Sequence, residues 1–457
     1  MKITGIEIDE YRQFKNIKFD FTYPEGHDKA GQPLEKVCFI GQSGTGKTTL
    51  LNILWNFFAI VDDGYQIIMR HQLNRHMSDE PYNVFEKISV KAKVFDQTIE
   101  FKKTVHENKD EGVDIQYTIS QSVEWMKLNG IFDYVMSQEK LCTYIDDAII
   151  DKAHALTASK EENDLYNQPY ITDSNNIFIA NEKREEALER IKRSKVLSAR
   201  YIDGRYLWGY LLSDIDNYNE NLRKIAFDLV SKSNSFSPER LSEKLNEWQK
   251  NNPNPKIDVA ENCLNEILKN FFLEVDTSGT EAPIVIKTRA GKQLTFGGLS
   301  TGTKQVIVTS IPIYKSKIES GVILVDEPER SLFPDIQREL VKYYNKLSPK
   351  AQFFYATHSP IIASAFEPCE RFILYFDEGG QVRFHRGIAP EGDDPNDILR
   401  QDFDMSELML EKGIGEYEHY RLLGMQIREE ADEEKKNQLI AERLELGNRY
   451  NFAGRNA

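Results

Sequence analysis

Cysteine is scarce in this chain: four in 457 residues, at Cys38, Cys142, Cys263 and Cys369, with no CxxC or CxxH spacing. That scarcity argues against a disulfide framework and a zinc site, and for free thiols in a reducing compartment, so the expected location is cytoplasmic. No run approaches the ~18 consecutive apolar residues of a membrane span. The opening MKITGIEIDEYRQF alternates like a strand and lacks the apolar centre of a signal peptide. Net positive charge is missing too. A balance of −15 argues against a surface that is basic all over, and so against the simplest nucleic-acid binder. What remains is a local strip, Lys192, Arg193, Lys195 and Arg200, where DNA could be met. No a/d heptad is sustained, which argues against a long coiled-coil arm. Internal repeats and low-complexity tails are absent.

What is present changes texture along the chain. Residues 1–120 read mostly as strands, over 2–8, 17–21, 87–94, 98–105 and 114–119, by alternation or β-branched enrichment. Among them a short apolar strand at 36–40 runs into a glycine loop, and an apolar helix follows over 48–60. Residues 121–280 turn polar and helix-rich, with helices expected near 181–197, 241–250 and 258–272, which predicts a compact helical insertion. The α/β pattern returns over 281–390, with strands at 322–325 and 352–355, helices at 306–318 and 335–347, and a hairpin around Glu378-Gly379-Gly380. Residues 391–457 read as an acidic helical tail. The fold class expected is α/β.

Three segments carry chemistry. Gly41-Gln42-Ser43-Gly44-Thr45-Gly46-Lys47-Thr48, followed by Thr49, is a P-loop between strand and helix. Its glycines let successive backbone N–H groups point at phosphate oxygens, and the helix N-terminus adds its dipole. ATP with Mg²⁺ is the expected cofactor pair: Lys47 bridging the β- and γ-phosphates, Thr48 offering a hydroxyl to the metal. The apolar run before Asp326 and Glu327 is a buried strand delivering two acids. Asp326 would hold Mg²⁺, and Glu327 would orient and deprotonate the attacking water. His358, after the next apolar strand, would hydrogen-bond the γ-phosphate.

The order of these parts resembles ATP-binding-cassette ATPases of the RecF and SMC branch, within the wider AAA grouping. Leu299-Ser300-Thr301-Gly302 resembles their signature segment, Glu329 to Pro334 their D-loop, and Tyr11-Arg12-Gln13-Phe14 a segment near the start of such heads. The resemblance covers about residues 1–110 and 285–375. It implies a cassette-type head with an N-terminal antiparallel β lobe. It also implies that Ser300 and Gly302 contact the γ-phosphate held by a second copy, giving a homodimer or higher oligomer. It further implies a Q-loop residue at the metal, for which Gln138 is the candidate and Arg200 or Arg205 the rivals. Ser43, Thr301 and Phe333 depart from the usual residues.

A transporter-driving cassette would be about half this length. Two readings remain. One is a RecF-like repair ATPase clamping DNA on paired heads. The other follows a similarity to the ATPase subunits of Septu, retron-associated and PARIS anti-phage systems: a sensor or scaffold, turning over slowly, that controls a partner nuclease or toxin. No Toprim or HNH signature follows the head. The acidic balance favours the second, since a platform for partner proteins has no need of a basic surface.

Overall fold

The computed structural model describes residues 1–68, 84–102, 123–151, 174–231, 238–278, 283–403 and 411–450, with Leu156, Met405 and Phe452. β1 (Lys2–Tyr11) and β2 (Phe14–Asp20) form a hairpin that turns at Arg12, where φ is 52°. In β3 (Lys36–Gly41) every residue after Lys36 is buried, as in a strand covered on both faces. α1 (Lys47–Ile68) seats Leu50, Leu51, Leu54, Phe57 and Phe58 in the core. β4 (Ile88–Val94) and β5 (Gln97–Lys102) complete an antiparallel sheet of order β2-β1-β4-β5. Burial alternates along β2 and β5, so this lobe keeps one dry face and one solvated face.

Next come α2 (Phe132–Ser137), β6 (Cys142–Ile145), α3 (Ser174–Arg193) and β7 (Val196–Ser198). Three helices follow: α4 (Gly204–Leu211), α5 (Ser213–Ser231) and α6 (Pro238–Asn251). β8 (Leu273–Val275), β9 (Ile286–Thr288) and β10 (Gln293–Leu294) make a small antiparallel sheet. The unit then runs through α7 (Thr301–Lys315), β11 (Val322–Asp326), α8 (Pro334–Leu347), β12 (Gln352–Thr357), β13 (Arg371–Phe376) and β14 (Val382–Arg386).

The central sheet has the order β14-β13-β3-β12-β11-β6-β7. β14 is antiparallel to β13, and every other neighbouring pair is parallel. The β lobe is joined to it by aromatic rings: Phe19 stacks on Phe384 at 4.6 Å, and Phe21 meets Phe354 edge-on at 5.2 Å and Phe372 edge-on at 5.3 Å. Such pairs add about 0.5–1.5 kcal/mol each beyond area burial.

The stretch 121–280 is not wholly helical, as the sequence texture had suggested. β6 and β7 lie in the central sheet, Ile145 pairing with Val325 and Cys142 with Val196. The helix expected over 181–197 ends at Arg193, because 196–198 is the edge strand. Strands of three or four buried residues leave no periodicity that separates them from a helix. The strand expected over 114–119 lies outside the described residues.

Asp394–Ala457 forms a second compact unit. Within it α9 (Glu411–Glu429) and α10 (Glu433–Tyr450) pack together, with His419 at 2.9 Å from Glu442 and the Arg443 guanidinium 4.4 Å from the Tyr420 ring centre.

Candidate nucleotide site

Because six strands of the central sheet run parallel, their C-terminal ends share one edge, and the loops after them gather there. Gly41 ends β3, Asp326 ends β11, and His358 follows β12. Topology alone therefore collects residues that lie far apart in sequence.

The P-loop is shaped by what its glycines exclude. Gly41, Gly44 and Gly46 have φ of 142°, 83° and 90°. A Cβ on Gly46 would lie 2.3 Å from Gln13 Nε2 and 2.7 Å from Phe14 Cζ, so the β lobe presses directly on the loop. Gln13 Nε2 donates to the Gly44 carbonyl at 3.2 Å, and Thr45 Oγ1 donates to that of Gln42 at 2.7 Å. Gln42, Ser43 and Gly44 form the exposed rim, whereas Thr45, Lys47 and Thr49 are buried. Lys47 Nζ donates to the carbonyls of Gly41 (3.0 Å) and Gln42 (2.9 Å). Burial pulls its pKa down to about 8, opposed by the carboxylates of Asp326 and Glu327.

Thr48 Oγ1 donates to Asp326 Oδ1 at 3.1 Å. Burial raises the Asp326 pKa to about 6; the Thr48 bond opposes this, while Glu327 and Asp146 reinforce it. A hydroxyl and a carboxylate in contact beside a phosphate cradle are the hard oxygen donors that Mg²⁺ takes. Among the described residues no group of three or more His, Cys, Asp or Glu could hold a metal. Mg²⁺ would thus rest on Thr48 and Asp326, its other positions left to phosphate and water.

Glu327 has a left-handed backbone (φ 48°), held by its N–H donating to the Ala356 carbonyl at 2.8 Å. Such a conformation costs on the order of 1–3 kcal/mol in a residue with a side chain, and the Glu327 side chain is exposed. His358 is tied down by its backbone: its N–H donates to Glu329 Oε1 at 2.8 Å. Burial, then Lys47, lowers the His358 pKa, which favours the neutral imidazole.

Ser300 caps α7, its Oγ accepting the Thr303 N–H at 3.1 Å. Gly302 packs so closely on the segment after β11 that a Cβ there would lie 2.5 Å from the Ser331 carbonyl oxygen. Gly302 is thus seated against the 331–332 turn, while Ser300 beside it stays exposed.

Gln138 is in the wrong place. It follows α2 and precedes β6, at the N-terminal edge of the sheet, opposite the edge that carries the P-loop and Asp326. Its carbonyl accepts from Lys195, and its amide donates to Ser137 Oγ at 2.9 Å. It is no metal ligand. The position beside Asp326 belongs to Asp146, just past β6 and buried, with Arg200 Nε at 2.9 Å from its Oδ2. Arg205, the other rival, pairs with Asp203. A sequence signal for Asp146 existed: Cys142-Thr-Tyr-Ile145 followed by two acids repeats the pattern that ends in Asp326 and Glu327.

The members of the basic strip have partners within the chain, although Lys192, Arg193 and Arg200 stay exposed. Lys192 and Arg193 reach Glu189 at 3.7 and 3.8 Å, Lys195 is buried with its ammonium on the carbonyls of Met136 and Gln138, and Arg200 is held by Asp146.

A strand, a glycine loop and a helix, with an acid at the end of a neighbouring parallel strand in contact with the loop's threonine, define a P-loop ATPase of the α/β class. Residues 1–363 match the family described as AAA ATPase domain, and the chain belongs to that family. It also aligns with an Smc head solved bound to the C-winged helix domain of ScpA, at 11% identity, covering 84% of this chain and 98% of that one, TM-score 0.37. The SMC head domain of Thermotoga maritima aligns at 10% identity, over 85% of this chain and 100% of that one, with TM-score 0.37. No helix among the described residues is long and apolar enough to cross a membrane.

Proposed function

We propose that this chain hydrolyses ATP at sites completed between two copies of itself, and that the nucleotide state controls a partner nuclease or toxin in anti-phage defence. The observation that carries the ATPase half is the contact of Thr48 with Asp326 at the mouth of the P-loop. In this reading the N–H groups of residues 41–48 hold the phosphates, and Lys47 exchanges two carbonyl partners for phosphate oxygens. Bound Mg²⁺ would neutralise phosphate charge. Glu327 orients the attacking water and accepts its proton, and the neutral His358 donates to the γ-phosphate.

The composite arrangement is supported by Ser300 and Gly302. They stand at the start of α7, where Gly302 packs on Ser331 and Leu332 and Ser300 is exposed, so that in this reading Ser300 serves a nucleotide on another copy. ATP binding then drives association, hydrolysis releases it, and the partner reads whichever form prevails. A slow, regulatory turnover suits that use.

Control of a protein partner, rather than DNA clamping, is supported by the net charge of −15 and by a basic strip whose members are already paired or buried. The test is an affinity pull-down of Glu327→Gln expressed from its native operon, with the eluate analysed for protein and nucleic acid. A stoichiometric nuclease- or toxin-like partner is the expected result. Duplex DNA without a protein partner would move the assignment to RecF-like repair.

A further inference from the structure

Gln337 belongs to no recognised motif, yet both ends of its amide are engaged between two of them. It sits half-buried in the first turns of α8. Its Nε2 donates to the Leu332 carbonyl at 2.8 Å, and its Oε1 accepts from Ser359 Oγ at 2.6 Å. Leu332 is part of the turn on which Gly302 rests: a Cβ at Gly302 would lie 2.5 Å from Ser331 O and 3.3 Å from Leu332 Cδ2. Ser359 follows His358 directly, and its Oγ also receives the Ile362 N–H at 3.3 Å. A second strut runs alongside, from Glu329 Oε1 to the His358 N–H at 2.8 Å. The same loop carries two left-handed residues, with φ of 48° at Glu327 and 61° at Ser331.

We propose that Gln337 is a positioning residue that couples the N-terminus of α7, at Ser300 to Gly302, to His358 of the same subunit. The coupling rests on the reading that Ser300 serves the other copy's nucleotide and His358 serves its own. If so, a displacement of the α7 N-terminus when it engages the partner's phosphate is passed through Ser331 and Leu332 to Gln337. From Gln337 it reaches Ser359 and the imidazole next to it. The path is a chain of packed backbone and two hydrogen bonds, and one amide side chain closes it. A misplacement of about 1 Å at a catalytic group can cost on the order of a hundredfold in rate, so a loosened His358 loop should be visible in turnover without altering the phosphate cradle.

The experiment uses the full chain and four variants: Gln337→Leu, Gln337→Glu, His358→Ala, and His358→Ala combined with Gln337→Leu. Affinity is read with a fluorescent ATP analogue and turnover by phosphate release. Gln337→Leu should lower kcat about tenfold while the nucleotide Kd stays within about twofold. Gln337→Glu keeps the acceptor for Ser359 and loses the donor to Leu332, so its kcat should fall between the two; it also serves if the leucine variant does not fold. In the His358→Ala background, Gln337→Leu should change kcat by less than about twofold, because a residue that acts through His358 has nothing left to act on. An equal drop in both backgrounds, or wild-type turnover in Gln337→Leu, overturns the coupling. Wild-type turnover in His358→Ala is a separate failure: it removes the role given to His358, and the coupling with it.

Discussion

Asp326 meets two opposed demands. Burial raises its pKa to about 6, whereas a metal site needs the carboxylate ionised. The sign follows directly. Above about pH 6 the group is charged and ready for Mg²⁺; below it, proton and metal compete. Apparent Mg²⁺ affinity in the presence of ATP should be flat from pH 8 to about 6 and then fall about tenfold per unit, measurable by metal titration of nucleotide binding. Affinity unchanged down to pH 5 would separate Asp326 from the metal. Lys47 is simpler: in the proposed site its ammonium would supply charge-assisted contacts to phosphate, and Lys47→Ala should weaken ATP binding by about a hundredfold or more in calorimetry. Gln138 and Arg200 make a matched pair. Gln138→Ala should leave hydrolysis within about twofold and stability within about 0.5 kcal/mol, because it lies at the far edge of the sheet. Arg200→Ala should lower both turnover and Tm, since Asp146 is left buried without its ion pair.

At the scale of elements, the stretches that were legible are those where long apolar strands meet a motif. β3 with its P-loop, β11 with its paired acids and β12 before His358 were readable because continuous burial writes itself as continuous apolar sequence. β6 and β7 were not. At four and three residues they are too short for periodicity, and charged helices conceal them. β7 is fixed instead by tertiary bonds, the buried Asp62 of α1 accepting from Ser194 Oγ at 2.7 Å and from the Lys195 N–H at 2.8 Å. Because β6 leaves no periodic signal, the sequence does not show that Asp146, rather than Gln138, stands beside Asp326. Partners of backbone groups, such as Glu329 for His358 or Gln13 for Gly44, leave no trace in spacing, since their contacts exist only once the sheet has assembled.

Another element-scale consequence lies at the opposite edge of the sheet. Glu370, just before β13, is fully buried with Lys36 of β3 at 3.5 Å, and burial raises its pKa to about 7 from an ordinary 4.5. A raised carboxyl pKa means that the folded state holds its proton longer than the unfolded chain does. Its contribution is therefore complete below about 4.5 and is lost as pH rises through about 7. Glu370→Gln should flatten the dependence of Tm on pH between about 5 and 7.5, read by thermal melts across that window. An unchanged slope would place the titration elsewhere.

For the molecule as a whole, the central matter is whether ATP brings copies together. A net charge of −15 makes like copies repel at long range, so association needs a specific contact that nucleotide supplies, and added salt should ease it. Exposed Phe333, beside the 331–332 turn on which Gly302 packs, is an apolar residue available to such a seam. In the proposed mechanism Glu327→Gln removes the base and leaves the phosphate cradle intact, so it should hold the ATP-bound form. The most direct measurement is the solution mass of Glu327→Gln by light scattering, with and without ATP and Mg²⁺. The mass should at least double on adding both, and should stay monomeric when Ser300→Arg is added. A mass that remains that of one chain with ATP saturating would contradict a site shared between two copies.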